Sequence, residues 1–342
     1  MARAESKSSR HDYLPLFDPP PQRANVYGFQ ETTAQIKWSY SRRQAMSQCP
    51  LAYYYRYYGA NRNTAVDEPM KERLHFLKSL SNRHMRTGNI LHLVISTYLK
   101  QWREGETPSL QWALDWANRL YVEDLACSRD YQRGYKQQPG GLYPGVLLEE
   151  FYYGLSQAEE LWEASKDRLI AAIHTAIANP TLRGFLLGGS QNDALIEHRF
   201  SLKSADFSIE ARPDLVFRSP EGRTVIVDWK IGEAGGSEDS LQLLAYALVV
   251  SSQIGCLPEE IDIYLIHLGD VRLGNNEIAS NKVDGRQLLR AKARILQDIE
   301  KMRLMDEFGR AADSAAFTPC RQPRICANCV FREVCPFVSK AS

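Results

Sequence analysis

Apolar and polar positions recur with two different periods along this chain. Runs of β-branched and apolar residues at 194–202, 212–217, 224–230, 261–268 and 271–278 have the length and composition of strands. At 240–248 and 286–308 the apolar residues fall at helical spacings instead, the second stretch carrying a face rich in Lys and Arg. The same period runs through 98–190, where Trp102, Trp112, Trp116 and Leu120 form one stripe and Trp162, Leu169, Ile173 and Ile177 another. A Gly-, Pro- and Gln-rich stretch at 134–145 divides the two, so 98–190 reads as a helical insertion. Upstream, Ser39 or Ser41 is placed to cap a helix leading into Cys49-Pro50 and a run of tyrosines at 53–55 and 57–58. Those rings suit stacking on bases beside Arg56, and equally a core with hydroxyls at its rim. Residues 1–30, rich in Pro, Arg and Ser, predict a disordered arm.

Two of the strand-like runs carry acids where bare carboxylates are expensive. Arg212-Pro213-Asp214-Leu215-Val216-Phe217 and Thr224-Val225-Ile226-Val227-Asp228-Trp229-Lys230 flank a Ser-Pro-Glu-Gly turn and predict a hairpin. Because side chains on a strand repeat every second residue, Asp228 and Lys230 share one face, about 7 Å apart, while Val227 and Trp229 share the other. A carboxylate and an ammonium so placed suit a divalent cation with a water beside it, or simply a buried ion pair. Pairing Arg218 with Arg223 would set Asp214 opposite Val227, facing away from Asp228. If both acids serve one ion, a bulge or a one-residue shift is required.

Composition adds limits. The 342 residues are 44% hydrophobic and 24% charged, as in ordinary globular proteins, and no apolar run is long enough to span a membrane. The start of the chain has no apolar signal core, which predicts a cytoplasmic, reducing setting in which the seven cysteines are metal ligands or free thiols. Net charge is +1, but Lys37 to Arg86 holds ten Lys or Arg against three acids. That excess, Arg42, Arg43, Arg83 and Arg86 included, predicts a DNA-facing surface or a solvated helix face. At the far end Cys326-x2-Cys329-x5-Cys335-Pro brings three thiols too close together for loop-closing disulfides. Cys320 could join them around zinc.

Three further pairings complete the candidate chemistry. Gly88 and His92 share a helix face, the glycine allowing a backbone to approach. Gln242 and Tyr246 share another, and a glutamine inside an apolar helix is hard to explain as core. Glu197, in the strand before the hairpin, fits either a site acid or an outward salt bridge.

Pro213-Asp214 followed by Asp228-Trp229-Lys230, with Gly88-x3-His92 before and Gln242-x3-Tyr246 after, resembles the PD-(D/E)xK nuclease superfamily in its RecB-like branch. The cysteines, with Cys49 upstream, resemble the iron-sulfur members, which include AddB-type nuclease domains and CRISPR-associated RecB-like exonucleases. The resemblance implies an α/β, restriction-endonuclease-like fold, a mixed central sheet flanked by helices. It implies one nuclease domain over 31–342, with an iron-sulfur segment at 317–342 stapled to the N-terminal helix by a 4Fe-4S cluster on Cys49, Cys326, Cys329 and Cys335. His92, Asp214, Asp228 and the Trp229 carbonyl would hold Mg2+ or Mn2+, Lys230 would act on the attacking water, and Gln242 and Tyr246 would orient the site and contact DNA. The implied activity is hydrolysis of DNA, single-stranded or with free ends, by an exonuclease of repair, recombination or defence. Many relatives have glycine where this chain has Ala211, which puts the backbone fit there in question. No helicase P-loop occurs, so strand separation would come from a helicase, CRISPR or repair partner. The alternative is a noncatalytic DNA-binding or adaptor module that keeps the fold and the cluster.

Overall fold

The computed structural model describes residues 36–60, 66–134, 145–189, 191, 193–231, 238–268, 278–307, 310–311 and 314–338. The expected N-terminal arm, the Gly235-Gly236 turn and positions 271–277 of the last expected strand lie outside them.

The chain opens with β1 (Ile36–Trp38), α1 (Tyr40–Gln48) and α2 (Pro50–Tyr54). Ser39 caps α1, its hydroxyl accepting from the Arg42 N–H, and extended Cys49 separates the two helices ahead of Pro50. A single π turn, Tyr55–Gly59, follows. Tyr53, Tyr54 and Tyr58 are buried in the core, which decides between their two readings. Next come α3 (Glu68–Ser79), α4 (Arg83–Arg103), α5 (Leu110–Gln132), α6 (Glu149–Tyr152), α7 (Ala158–Ala178) and α8 (Pro180–Gly189). The strands are β2 (Leu195–Ile196), β3 (Phe200–Lys203), β4 (Phe207–Ala211), β5 (Leu215–Arg218) and β6 (Thr224–Ile231), then α9 (Glu238–Ile254), β7 (Ile261–Leu268), β8 (Ile278–Lys282), α10 (Gly285–Arg303) and α11 (Pro323–Ala327).

Five strands form a sheet in the order β2-β5-β6-β7-β8, mixed because β6 and β7 run parallel while the other pairs are antiparallel. A smaller sheet, β1-β4-β3, lies beside it. The period-2 pattern of β6 divides the interior. Val225, Val227 and Trp229 enter one apolar cluster with α4, α5, α7 and α8, while Ile226 enters another with α9, α10 and the small sheet. Helices therefore cover both faces. The stretch at 98–190, expected as an insertion, contributes a large part of the first cluster, with Trp162 stacked on Tyr121 at 4.8 Å and Ile173 beside sheet residues such as Val227. Its apolar stripe buries itself on the sheet face and does not close a separate core.

Two local departures from the expected strands set up the site. The run at 194–202 breaks at Glu197, which adopts φ 53°, so the chain leaves the large sheet after β2 and enters the small one at β3. The hairpin also carries the one-residue shift. Arg218 pairs with Thr224, and Leu215 with Val227. The extra residue sits in the turn, where the Gly222 N–H donates to the Ser219 carbonyl at 2.9 Å and Gly222 takes φ 79°. Only glycine adopts that conformation without penalty, so Gly222 fixes the register.

Candidate active site

The shifted register places Asp214, just before β5, across from Asp228 on β6, so both carboxylates face α9. Each is only 2% exposed. Nearby charge is what makes such burial tolerable. From α4, His92 brings Nδ1 to 2.8 Å from Asp214 Oδ1 and 3.4 Å from Glu197 Oε1. The other oxygen of Asp214 accepts the Trp229 backbone N–H at 2.8 Å. Trp229 thus holds Asp214 through its amide, a contact not expected from the sequence, while its indole lies on the opposite face with its centroid 6.0 Å from that of His92.

On β6, Lys230 Nζ lies 3.3 Å from Asp228 Oδ2 and donates to Gln242 Oε1 at 2.8 Å; Gln242 Nε2 donates in turn to Tyr246 OH at 2.6 Å. This chain explains the polar glutamine within α9. It fixes the ammonium, which would otherwise lose considerable rotamer freedom on being positioned. Burial, then the charges of Asp228 and Asp214, raises the Tyr246 hydroxyl well above its ordinary value and keeps it a neutral hydrogen-bonding group.

Glu197 does both things its sequence left open. Oε2 pairs with Arg212 Nε at 3.0 Å, and Oε1 is buried without a hydrogen bond of ordinary geometry, turned toward His92. Among the described residues, His92, Glu197 and Asp214 are the group whose ligand atoms all lie within 4.8 Å of one another. One imidazole nitrogen and two carboxylate oxygens form a donor set that would suit a divalent cation such as Mg2+ or Mn2+. Asp228, also expected as a ligand, lies across from Asp214 on β6 and next to Lys230, at the edge of that group. Gly88 needs no close backbone neighbour, since a Cβ there would meet nothing within 4 Å.

Burial alone would lower the His92 pKa, but the hydrogen bonds and charges of Asp214 and Glu197 outweigh it and raise it to about 10. Burial first, and the Asp228 charge second, raise the Asp214 carboxyl. A cation entering this group would therefore compete with the proton that the two carboxylates favour on His92. Mn2+ affinity is expected to rise with pH between 6 and 8 and to be accompanied by proton release, read by calorimetry in two buffers of different ionisation enthalpy. Binding with neither feature would place the metal elsewhere.

The four arginines expected at DNA fare unequally. Arg86 makes two hydrogen bonds to Asp124, Arg83 pairs with Glu150 at 3.2 Å, and Arg43 lies 3.4 Å from Asp298. These three are held in ion pairs within the fold. Arg42 stacks over Tyr57 at 4.2 Å.

Cys49, Cys329 and Cys335 gather around Tyr55, whose hydroxyl is pushed up to about 12 by burial first and by these thiols among others. Cys329 itself is raised to about 11, mainly by burial and then by Cys49 and Cys335. Cys320 and Cys326 lie 3.9 Å apart, yet among the described residues no three sulfurs close to the spacing of ligands on a single ion. The segment is docked by Tyr153 OH donating to the Val330 carbonyl, by Arg332 on Glu149, and by Glu333 with Arg73 and Tyr152.

A family model for the PD-(D/E)XK nuclease superfamily matches residues 37–336. No curated protein matches the chain significantly. Among solved structures, SSO0001 is similar at 16% identity, over 73% of this chain and 97% of its own, with a TM-score of 0.28. A protein from Eubacterium rectale provisionally named an exonuclease is similar at 11% identity, over 92% of this chain and 94% of its own, with a TM-score of 0.36.

Proposed function

We propose that this chain, which belongs to the PD-(D/E)XK nuclease superfamily, is a RecB-like, metal-dependent DNA exonuclease with a structural iron-sulfur cluster. The observation that carries the catalytic reading is the convergence of His92, Glu197 and Asp214 beside Asp228, Lys230 and Gln242. In this reading His92, Asp214 and Asp228 would hold Mg2+ or Mn2+, with the Trp229 carbonyl beside them and Glu197 added to the set expected from the sequence. Held there, such an ion would supply Lewis-acid polarisation of the scissile phosphate. Lys230, fixed by Gln242 and Asp228, orients the attacking water and balances the charge that develops on the phosphate. Gln242 and Tyr246 keep that ammonium in one rotamer. Among the described residues no helix is long and apolar enough to cross a membrane.

For the cluster, support comes from the approach of Cys49, on the segment joining α1 and α2, to Cys329 and Cys335 around one tyrosine. Cys326 would be the fourth ligand and Cys320 a bystander. Thiolate ligation of a four-iron cluster fits this set better than a single zinc ion, which needs four mutually close sulfurs. The domain plan, one nuclease domain over 31–342 with the cluster segment at 317–342, and action with a helicase, CRISPR or repair partner, belong to the same proposal.

One preparation tests both parts. Anaerobically purified protein is expected to be brown and to degrade end-labelled DNA from its ends with Mn2+ or Mg2+. Cys49→Ser should lose iron and colour, whereas Cys320→Ser should keep both. The polar contacts that dock the segment should keep it in place in either variant. A colourless wild type holding one zinc per chain would overturn the cluster; intact DNA at every metal concentration would overturn the nuclease.

A further inference from the structure

His267 is not among the residues assigned above, yet it lies on the same face of the sheet. It sits on β7, and in the parallel β6–β7 ladder its Cα partner is that of Lys230. Paired residues in a parallel ladder point to the same side of the sheet, and strand axes there are about 5 Å apart. The faces confirm the parity: Ile263 and Leu265, at alternate positions before His267, pack in the cluster under α9, whereas Ile266 and Leu268 pack on the helices opposite. Across this face the order is therefore Asp214, then Asp228 and Lys230, then His267.

Both ring nitrogens of His267 are buried, and neither has a hydrogen-bond partner. A neutral imidazole has one donor and one acceptor, and leaving them unmade in the interior costs stability that a phenylalanine or leucine would not lose. Such an orphan beside a fixed ammonium marks a place prepared for a group that arrives later. On this side of Lys230, away from the metal-ligand group, the group that fits a ring N–H is an anionic oxygen.

We propose that His267 is a substrate-binding residue whose ring N–H donates to a nonbridging oxygen of a DNA phosphate flanking the scissile one. This rests on the nuclease reading above. Metal, lysine and histidine would then lie in line across three strands, and His267 would set the register of the strand being cut without touching the reacting phosphate.

The test uses the full-length protein. His267→Phe should melt at or above the wild-type temperature, because it fills the same space and removes the orphaned nitrogens, yet it should raise KM about tenfold or more, as one lost hydrogen bond to a charged group does, with kcat changed far less. His267→Asn, which retains an N–H donor, should recover part of the loss. Oligonucleotides with one neutral methylphosphonate, moved position by position, locate the contact. Wild type should bind weakly when the neutral linkage occupies one flanking position, and His267→Phe should be indifferent there. The proposal fails if wild type cleaves DNA and His267→Phe cleaves with the same KM, or if the methylphosphonate scan is identical for the two proteins. Absence of any cleavage by wild type, with DNA binding that still depends on His267, would sink the nuclease reading and leave this contact standing.

Discussion

Asp228→Ala and Lys230→Ala are each expected to lower the single-turnover rate of DNA cleavage by at least about a hundredfold, the low end for loss of a positioned acid-base or charge-stabilising group. The two should differ in stability in an informative way. Asp228 is buried on the same face as Asp214, and its charge raises the Asp214 carboxyl after burial has done so. Removing one of two like charges relieves that repulsion, so Asp228→Ala or Asp228→Asn should melt no lower than wild type when no metal is added. Lys230 is bound to Gln242 and Asp228 at the partly exposed end of β6, and its loss leaves Asp228 without its ammonium. Lys230→Ala should therefore melt lower than Asp228→Ala, while both bind DNA. Wild-type cleavage by either variant, measured on end-labelled DNA with Mn2+, would remove the site assignment.

Arg86→Ala is expected to cost about 3–5 kcal/mol of stability, the range for breaking a buried ion pair from one side. The Arg86 Nε donates to Asp124 Oδ2 at 2.6 Å and a terminal nitrogen to Oδ1 at 3.0 Å. Asp124 is fully buried and otherwise accepts the Val146 N–H at 2.7 Å. Burial raises the Asp124 carboxyl, and Arg86 is the main influence pulling it back. Truncating the guanidinium leaves a carboxylate in the interior that must take up a proton or open the structure around 145–148. Replacing both partners with apolar residues of similar size should recover most of the loss. Urea unfolding gives the ranking. A stable Arg86→Ala with weakened, less salt-sensitive DNA binding would instead assign this residue to a DNA surface. Arg42, stacked on Tyr57, is the arginine of the original four whose truncation should change stability least, by up to about 1 kcal/mol.

How much of the site could be read along the chain follows from the range of the interactions involved. Asp228 and Lys230 lie two residues apart on one strand, and Gln242 and Tyr246 four apart on one helix, so each pair shares a face by backbone geometry alone. The tyrosines at 53–58 had no such internal arbiter. Their burial depends on Phe317 and the cysteine segment, which arrive from the other end of the chain. Glu197 was ambiguous for a related reason, since the left-handed turn that aims it at His92 belongs to a residue type that ordinarily avoids that conformation. His267 gave no signal at all, because a histidine in a strand is commonplace until its neighbours are known.

The sequence by itself determined the alternation of β6, the helical stripes, the hairpin with its Pro-Glu-Gly turn, and the residue types able to hold a cation. It also posed the register problem in its own terms, because a period of two makes a one-residue slip move every side chain to the other face. Only the tertiary structure decided that Gly222 absorbs the extra residue and brings Asp214 round to Asp228. It alone showed that the helices at 98–190 cover the sheet, and that Arg86 meets Asp124 across 38 positions. Local geometry fixes where a side chain points relative to its own backbone; what it meets there depends on segments whose separation along the chain carries no trace of their distance in space.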